Sequence, residues 1–193
     1  MDYFINTVNY HKDYIAECIA FGLDEAFKAL NDHVYKKQLV DFIGSDKDGS
    51  RQISAALSGA RHIAWFEALR SIYRETYLFD PWFGTKSDLT VCSTLCESKG
   101  NARINKSRYG TQWSSGTKKE YHRDKWCYLL TRELYHVTEN FSGLYKVHLV
   151  VAHITGDRFK PGKSGGSNVT NLKWSSLTGD DIIISHEYTM SGR

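Results

Sequence analysis

The sequence predicts an α+β protein: a helical N-terminal region, then a basic loop region, then a C-terminal unit of strand, loop, short strand and helix. Three observations carry this. Apolar residues recur at helical spacing from about Tyr14 to Tyr77. After "YLFDPWFG" that signal gives way to a stretch rich in Lys, Arg, Gly and Ser. From Gly143 the run "GLYKVHLVVAHITGD" has the β-branched and aromatic content of a strand ending in a turn. With 193 residues, 41% hydrophobic and 13% aromatic, the chain buries a real core and is not disordered throughout. The shift in composition sets the regions at 1–80 and 81–193, or joins both in one compact domain.

The helical region rests on Ile15, Cys18, Ile19, Leu23, Ala26, Phe27, Leu30 and Val34, then on Ile53, Leu57, Ala60, Ile63, Ala64, Leu69, Ile72 and Tyr73. "GSDKDGS" at 44–50 interrupts the pattern with glycine and aspartate and offers the second helix a serine cap. "SRQISAALSGARHIAWFEAL" has the small residues and the central Gly59 of a helix-turn-helix reader, but its spacing is loose, so a packed scaffold is the better reading.

Residues 99–125 carry Lys99, Arg103, Lys106, Arg108, Lys118, Lys119, Arg123 and Lys125 against Glu120 and Asp124, a local formal charge of +6 in a chain whose total is +3. Tyr109, Trp113 and Tyr121 interleave with these charges, and Trp126 adjoins them. Cations neutralise phosphates and release counterions, and aromatic faces stack on unpaired bases, so the stretch suits nucleic acid, DNA before RNA. Lys160 and Lys163, in the glycine-rich loop "GDRFKPGKSGG", add to the expected contact.

The first thirty residues lack a basic start followed by an apolar core, and no eighteen apolar residues run together, so a cytoplasmic protein without membrane contact is expected. Cys18, Cys92, Cys96 and Cys127 then read as reduced thiols. Cys92 and Cys96 have the spacing of half a zinc site, but the other half would have to come from distant positions, so structural zinc is not expected. An intracellular chain is not glycosylated, so the sequons at Asn105, Asn140 and Asn168 carry no weight.

The strand delivers His153 to its end. Later come Asn168, "NLKW" at 171–174, and Thr178 followed at the third position by Asp181 in the form of a capping box. Over roughly residues 144–190 this order resembles the HNH, or ββα-metal, nucleases. The resemblance implies metal-dependent endonuclease activity with Mg²⁺ or Mn²⁺, His153 as general base and Asn171 orienting its loop. It also implies Asp180 as a helix-borne metal ligand, with His186 on the same segment, while Asp157 or His148 would substitute for the ligand that Ala152 cannot supply. The chemistry is coherent: a neutral imidazole takes a proton from water near pH 7, and one divalent cation stabilises charge at the phosphate.

Two features depart from that family. Ala152 stands where a metal-binding aspartate or histidine usually precedes the catalytic histidine, and His148, five residues earlier, faces the opposite side of a regular strand. The three isoleucines of "DDIIISHEY" favour a strand over a helix, which would leave Asp180 in a turn. The alternative function is therefore a non-catalytic nucleic-acid-binding or phage or viral assembly protein with an inert His153. A lesser alternative, ADP-ribosyltransferase, rests on the Tyr-His-x-Thr order at Tyr135–Thr138. A Walker loop is excluded because five residues, not four, separate Gly156 from Gly162.

Overall fold

The computed structural model describes residues 2–33, 48–73, 79–80, 89–92, 94–115, 125–137, 142–161 and 170–190. The helices are α1 (Asp2–Tyr10), α2 (Lys12–His33) and α3 (Asp48–Ile72). The strands are β1 (Phe79–Asp80), β2 (Leu89–Val91), β3 (Thr94–Ile104), β4 (Gln112–Ser115), β5 (Lys125–Val137), β6 (Ser142–Thr155), β7 (Lys160–Pro161), β8 (Thr170–Lys173) and β9 (Ile182–Thr189). Both helices and strands are present, as an α+β chain requires.

The described strands form a six-stranded sheet in the order β1-β2-β3-β5-β6-β9 and a three-stranded sheet in the order β4-β8-β7. In the large sheet β3 and β5 run parallel, while every other neighbouring pair is antiparallel. A parallel pair needs a crossover, and here the chain makes it through β4, a strand of the other sheet.

Strand alternation sends β5 and β6 side chains to two different cores. On one face Cys127, Leu129 and Tyr135 join Val147, Leu149 and Val151 beneath the helices. There they meet Ile15, Ile19, Leu23 and Phe27 of α2, one residue per turn, and Trp65, Ala68 and Leu69 of α3. The helical region and the sheet thus share one core. Ile63, expected in the apolar stripe, is 60% exposed, and Trp65 takes the buried place instead. On the other face Trp126, Tyr128, Leu130, Val150, Ala152 and Ile154 pack with Trp113, Phe159 and Leu172 from the small-sheet side. The order of layers is therefore helices, large sheet, small sheet.

The helix expected at the C-terminus is a strand. Ile182–Thr189 pairs antiparallel with β6 from Ala152↔Ile182 to Lys146↔Thr189. β-Branched isoleucines fit a pleated, half-buried surface better than a helical turn, and β6 offers an edge to pair with. The capping box forms only in part. Thr178 N–H and Oγ1 each donate to Asp181 Oδ2 at 2.8 Å, and Ile182 N–H returns to Thr178 O at 3.2 Å. These bonds close a single turn that leads into a strand.

Candidate functional site

His153 lies near the end of β6, which runs on to Thr155, on the helix-facing side, half-buried, with Cys127 opposite it on β5. Its Nε2–H donates to the Lys125 carbonyl at 3.3 Å, and its backbone N–H donates to Asp181 O at 2.8 Å. Asp180 is exposed in the turn just before. Asp157 sits in the short 3-10 turn Gly156–Arg158, its side chain outside the described atoms. His186 lies across from Leu149, four strand residues or roughly 13 Å from His153. It meets Asp13 of α2 instead, Nε2 to Oδ1 at 3.0 Å. Asn171 is on β8, where its Oδ1 accepts from Ser114 Oγ at 2.8 Å. Among the described side chains of this set, only His153 and the Asp180 turn come together. Among the described residues no group of three His, Cys, Asp or Glu side chains is placed to hold a metal ion.

Ala152 is fully buried in the small-sheet core. Asp181 is a structural residue: burial pushes its carboxyl up, but the Thr178 hydrogen bonds and Arg158, 2.8 Å away, outweigh that and hold it below the usual range. Cys96 and Cys127 face each other across β3 and β5, buried under the helices, and the Cys127 contact together with burial pushes the Cys96 thiol well up. All four cysteines are free thiols. Tyr135, from the Tyr-His-x-Thr order, is fully buried and stacked on Phe27 at 4.5 Å, so it is a core residue.

The expected nucleic-acid contacts divide. Arg103, Lys106 and Arg108 are exposed at the end of β3 and in the following loop, where Asn105 turns the chain at φ 47°, a left-handed conformation that asparagine tolerates. Gly110 lets that loop close, because a Cβ there would sit 2.0 Å from Asn101 Oδ1. Lys125 starts β5, about nine strand residues or roughly 30 Å from Leu134, the partner of Arg103. Lys160 is exposed on β7. Lys99 is tied to Glu97 at 2.8 Å. Trp113 corrects the expectation of a stacking face: it is fully buried, and its Nε1–H donates to Thr131 O at 2.8 Å. Lys118, Lys119, Arg123 and Lys163 lie outside the described residues.

A polar row crosses the sheet beside the small-sheet core: Asn101 on β3, Arg132 on β5, His148 on β6 and Glu187 on β9 are successive register partners. Arg132 is 8% exposed. Its guanidinium lies 4.0 Å from the Trp174 ring centroid and 4.9 Å from that of Tyr109, two cation–π contacts. Arg132 Nη2 donates to His148 Nδ1. Because a guanidinium has no acceptor, Nδ1 must be unprotonated, so Nε2 carries the hydrogen and donates to Ser185 Oγ at 2.7 Å. That tautomer makes His148 a poor base toward Ser185, and burial plus the Arg132 charge push its pKa down to about 4. The pair is therefore not an activated nucleophile.

Lys146 holds Glu187 at 2.6 Å and keeps its carboxyl below the usual range. By register Arg103, Leu134 and Lys146 form the next row, which brings Arg103 close to the Arg132 cluster. In the sequence, Arg132 is marked only by a charged Arg-Glu pair inside the apolar run "CYLLTRELYHV".

Comparison with known proteins returns no match, whether with family models, curated proteins or solved structures. The likeness to HNH nucleases thus remains one of motif order.

Proposed function

We propose that this protein binds nucleic acid, gripping the sugar-phosphate backbone with the end of β3 and the loop that follows it. The observation that carries this reading is the contrast among the cations. Lys28, Arg61, Arg70, Lys99, Lys146 and Arg158 each pair with a carboxylate. Arg103, Lys106 and Arg108 are exposed and, among the described residues, form no ion pair. Three uncompensated cations within six residues attract phosphates whatever the base sequence. With Trp113 buried and Tyr109 occupied by Arg132, backbone contact is favoured over base stacking, which makes weak sequence preference the expectation.

Fluorescence anisotropy with labelled duplex and single-stranded DNA tests this reading. Replacing Arg103, Lys106 and Arg108 together by glutamate is expected to abolish binding at moderate salt. Neutral replacements should lower the slope of log affinity against log salt by about three. An unchanged slope would contradict the reading.

Metal-dependent cleavage at His153 is a second reading, favoured by the half-exposed ring beside the Thr178–Asp181 turn. The described donors do not fit a metal centre, because His186 is held at α2 and Asp180 projects from an exposed turn, so no cleavage step is derived through a metal. Incubation with plasmid and with single-stranded DNA, in Mg²⁺, Mn²⁺ or EDTA, separates the readings. Divalent-dependent cutting lost in His153→Ala would establish the second.

A further inference from the structure

Arg132 is a buried cation that pairs with no carboxylate among the described residues. No acidic side chain among the described residues lies within salt-bridge distance of it, and its Nε is buried with no hydrogen-bond partner. Beside it the hydroxyl of Tyr109 is also buried and has no hydrogen-bond partner among the described residues. Nδ1 of His148 accepts one N–H, but a neutral imidazole does not balance a charge. Lys146 Nζ sits 5.4 Å from the Tyr109 ring centroid, so a second cation flanks the same ring. Facing them is one acid, Glu187, already engaged by Lys146. Two cations against one carboxylate leave the cluster with a net positive charge.

Buried charges are normally paired, and a forked guanidinium matches the oxygens of a phosphate. We propose that Arg132, Tyr109 and Lys146 form a seat for one phosphate group, with Arg132 Nε–H and Tyr109 O–H as donors and Lys146 at the rim. Glu187 competes for Lys146 and so weakens the seat. Arg103, one register row away on the same sheet, connects it to the β3 end, and to that extent the inference rests on the nucleic-acid reading. In that setting the seat takes a phosphate of the bound strand.

Calorimetric titration of the full chain with inorganic phosphate, and separately with a short oligonucleotide, tests the proposal. Saturable phosphate binding is expected, weakened at least tenfold in Arg132→Met and several-fold in Lys146→Ala. Tyr109→Phe is the most telling variant, since it deletes a hydroxyl that bonds to none of the described residues and should leave the fold intact while weakening phosphate binding several-fold. Glu187→Gln should strengthen binding. The Arg103, Lys106, Arg108 glutamate variant should lose the oligonucleotide yet still bind phosphate. Binding of phosphate without any oligonucleotide binding would uphold the seat and overturn the nucleic-acid reading. No saturable phosphate binding by the parent chain, or equal binding by the folded Tyr109→Phe and Lys146→Ala variants, would overturn the seat.

Discussion

Among the described residues two arginines, Arg61 and Arg132, are buried, on opposite faces of the same sheet, and they are treated differently. Arg61 reaches from α3 over Gly100 to Glu133, Nε to Oε1 at 2.7 Å, and Thr131 donates to the same carboxylate oxygen. Burial works against the Arg61 charge, and Glu133 outweighs it, so the guanidinium stays firmly protonated. Arg132 is the neighbour of Glu133 in sequence, yet alternation sends it to the other face, where it meets a neutral histidine and two aromatic rings. There burial dominates and pulls its pKa down. The helix-facing charge is closed off within the chain. The small-sheet charge has no carboxylate partner among the described residues.

The sharpest way to break that contrast is to remove Glu133. Glu133→Ala strands Arg61 as an uncompensated buried charge and should cost about 3–5 kcal/mol in equilibrium denaturation. A loss below about 1 kcal/mol would mean that Arg61 swings out to water and that its burial is not enforced. Next in size is a pH effect on the other face. His148 titrates near pH 4 in the fold and near 6.5 in an unfolded chain, so the unfolded state binds the extra proton first. Its contribution is fully present above about pH 6.5 and is lost as pH falls toward 4, by about 3 kcal/mol at most. His148→Gln should flatten the stability profile across that window; an unchanged profile would place the acid sensitivity elsewhere.

Gly100→Ala comes third. A Cβ at residue 100 would lie 1.9 Å from Arg61 Nε, so the side chain must leave its path to Glu133, at a cost of about 1–3 kcal/mol. Full stability in that variant would show that Arg61 reaches Glu133 by another route.

Much of this architecture was legible in the sequence, and the reasons for what was not are physical. Period-four apolar residues in α2 and the β-branched run of β6 declared their elements because local pattern and burial agree. The three isoleucines at 182–184 were already read as favouring a strand, and pairing with β6 decided the conflict with the helix implied by motif order. The basic stretch was visible as composition, but not its division. A long parallel pairing of β3 with β5 carries Arg103 and Lys125 to opposite ends of the sheet, and Trp113 is drawn into a core that no local pattern announces. Arg132 is not legible locally because its role depends on facing His148, sixteen residues away across a hairpin.

The smallest expected stability effect tests the central claim most directly. Arg132→Met removes a desolvated charge that pairs directly with no carboxylate among the described residues, so without phosphate its unfolding free energy should lie within about 1 kcal/mol of the parent. Added phosphate should stabilise the parent through ligand linkage and leave Arg132→Met unmoved. Denaturant unfolding of the two proteins side by side, with and without phosphate, gives the answer. A loss of about 3 kcal/mol in the variant together with no phosphate effect on either protein would show that Arg132 is a structural residue and contradict the account.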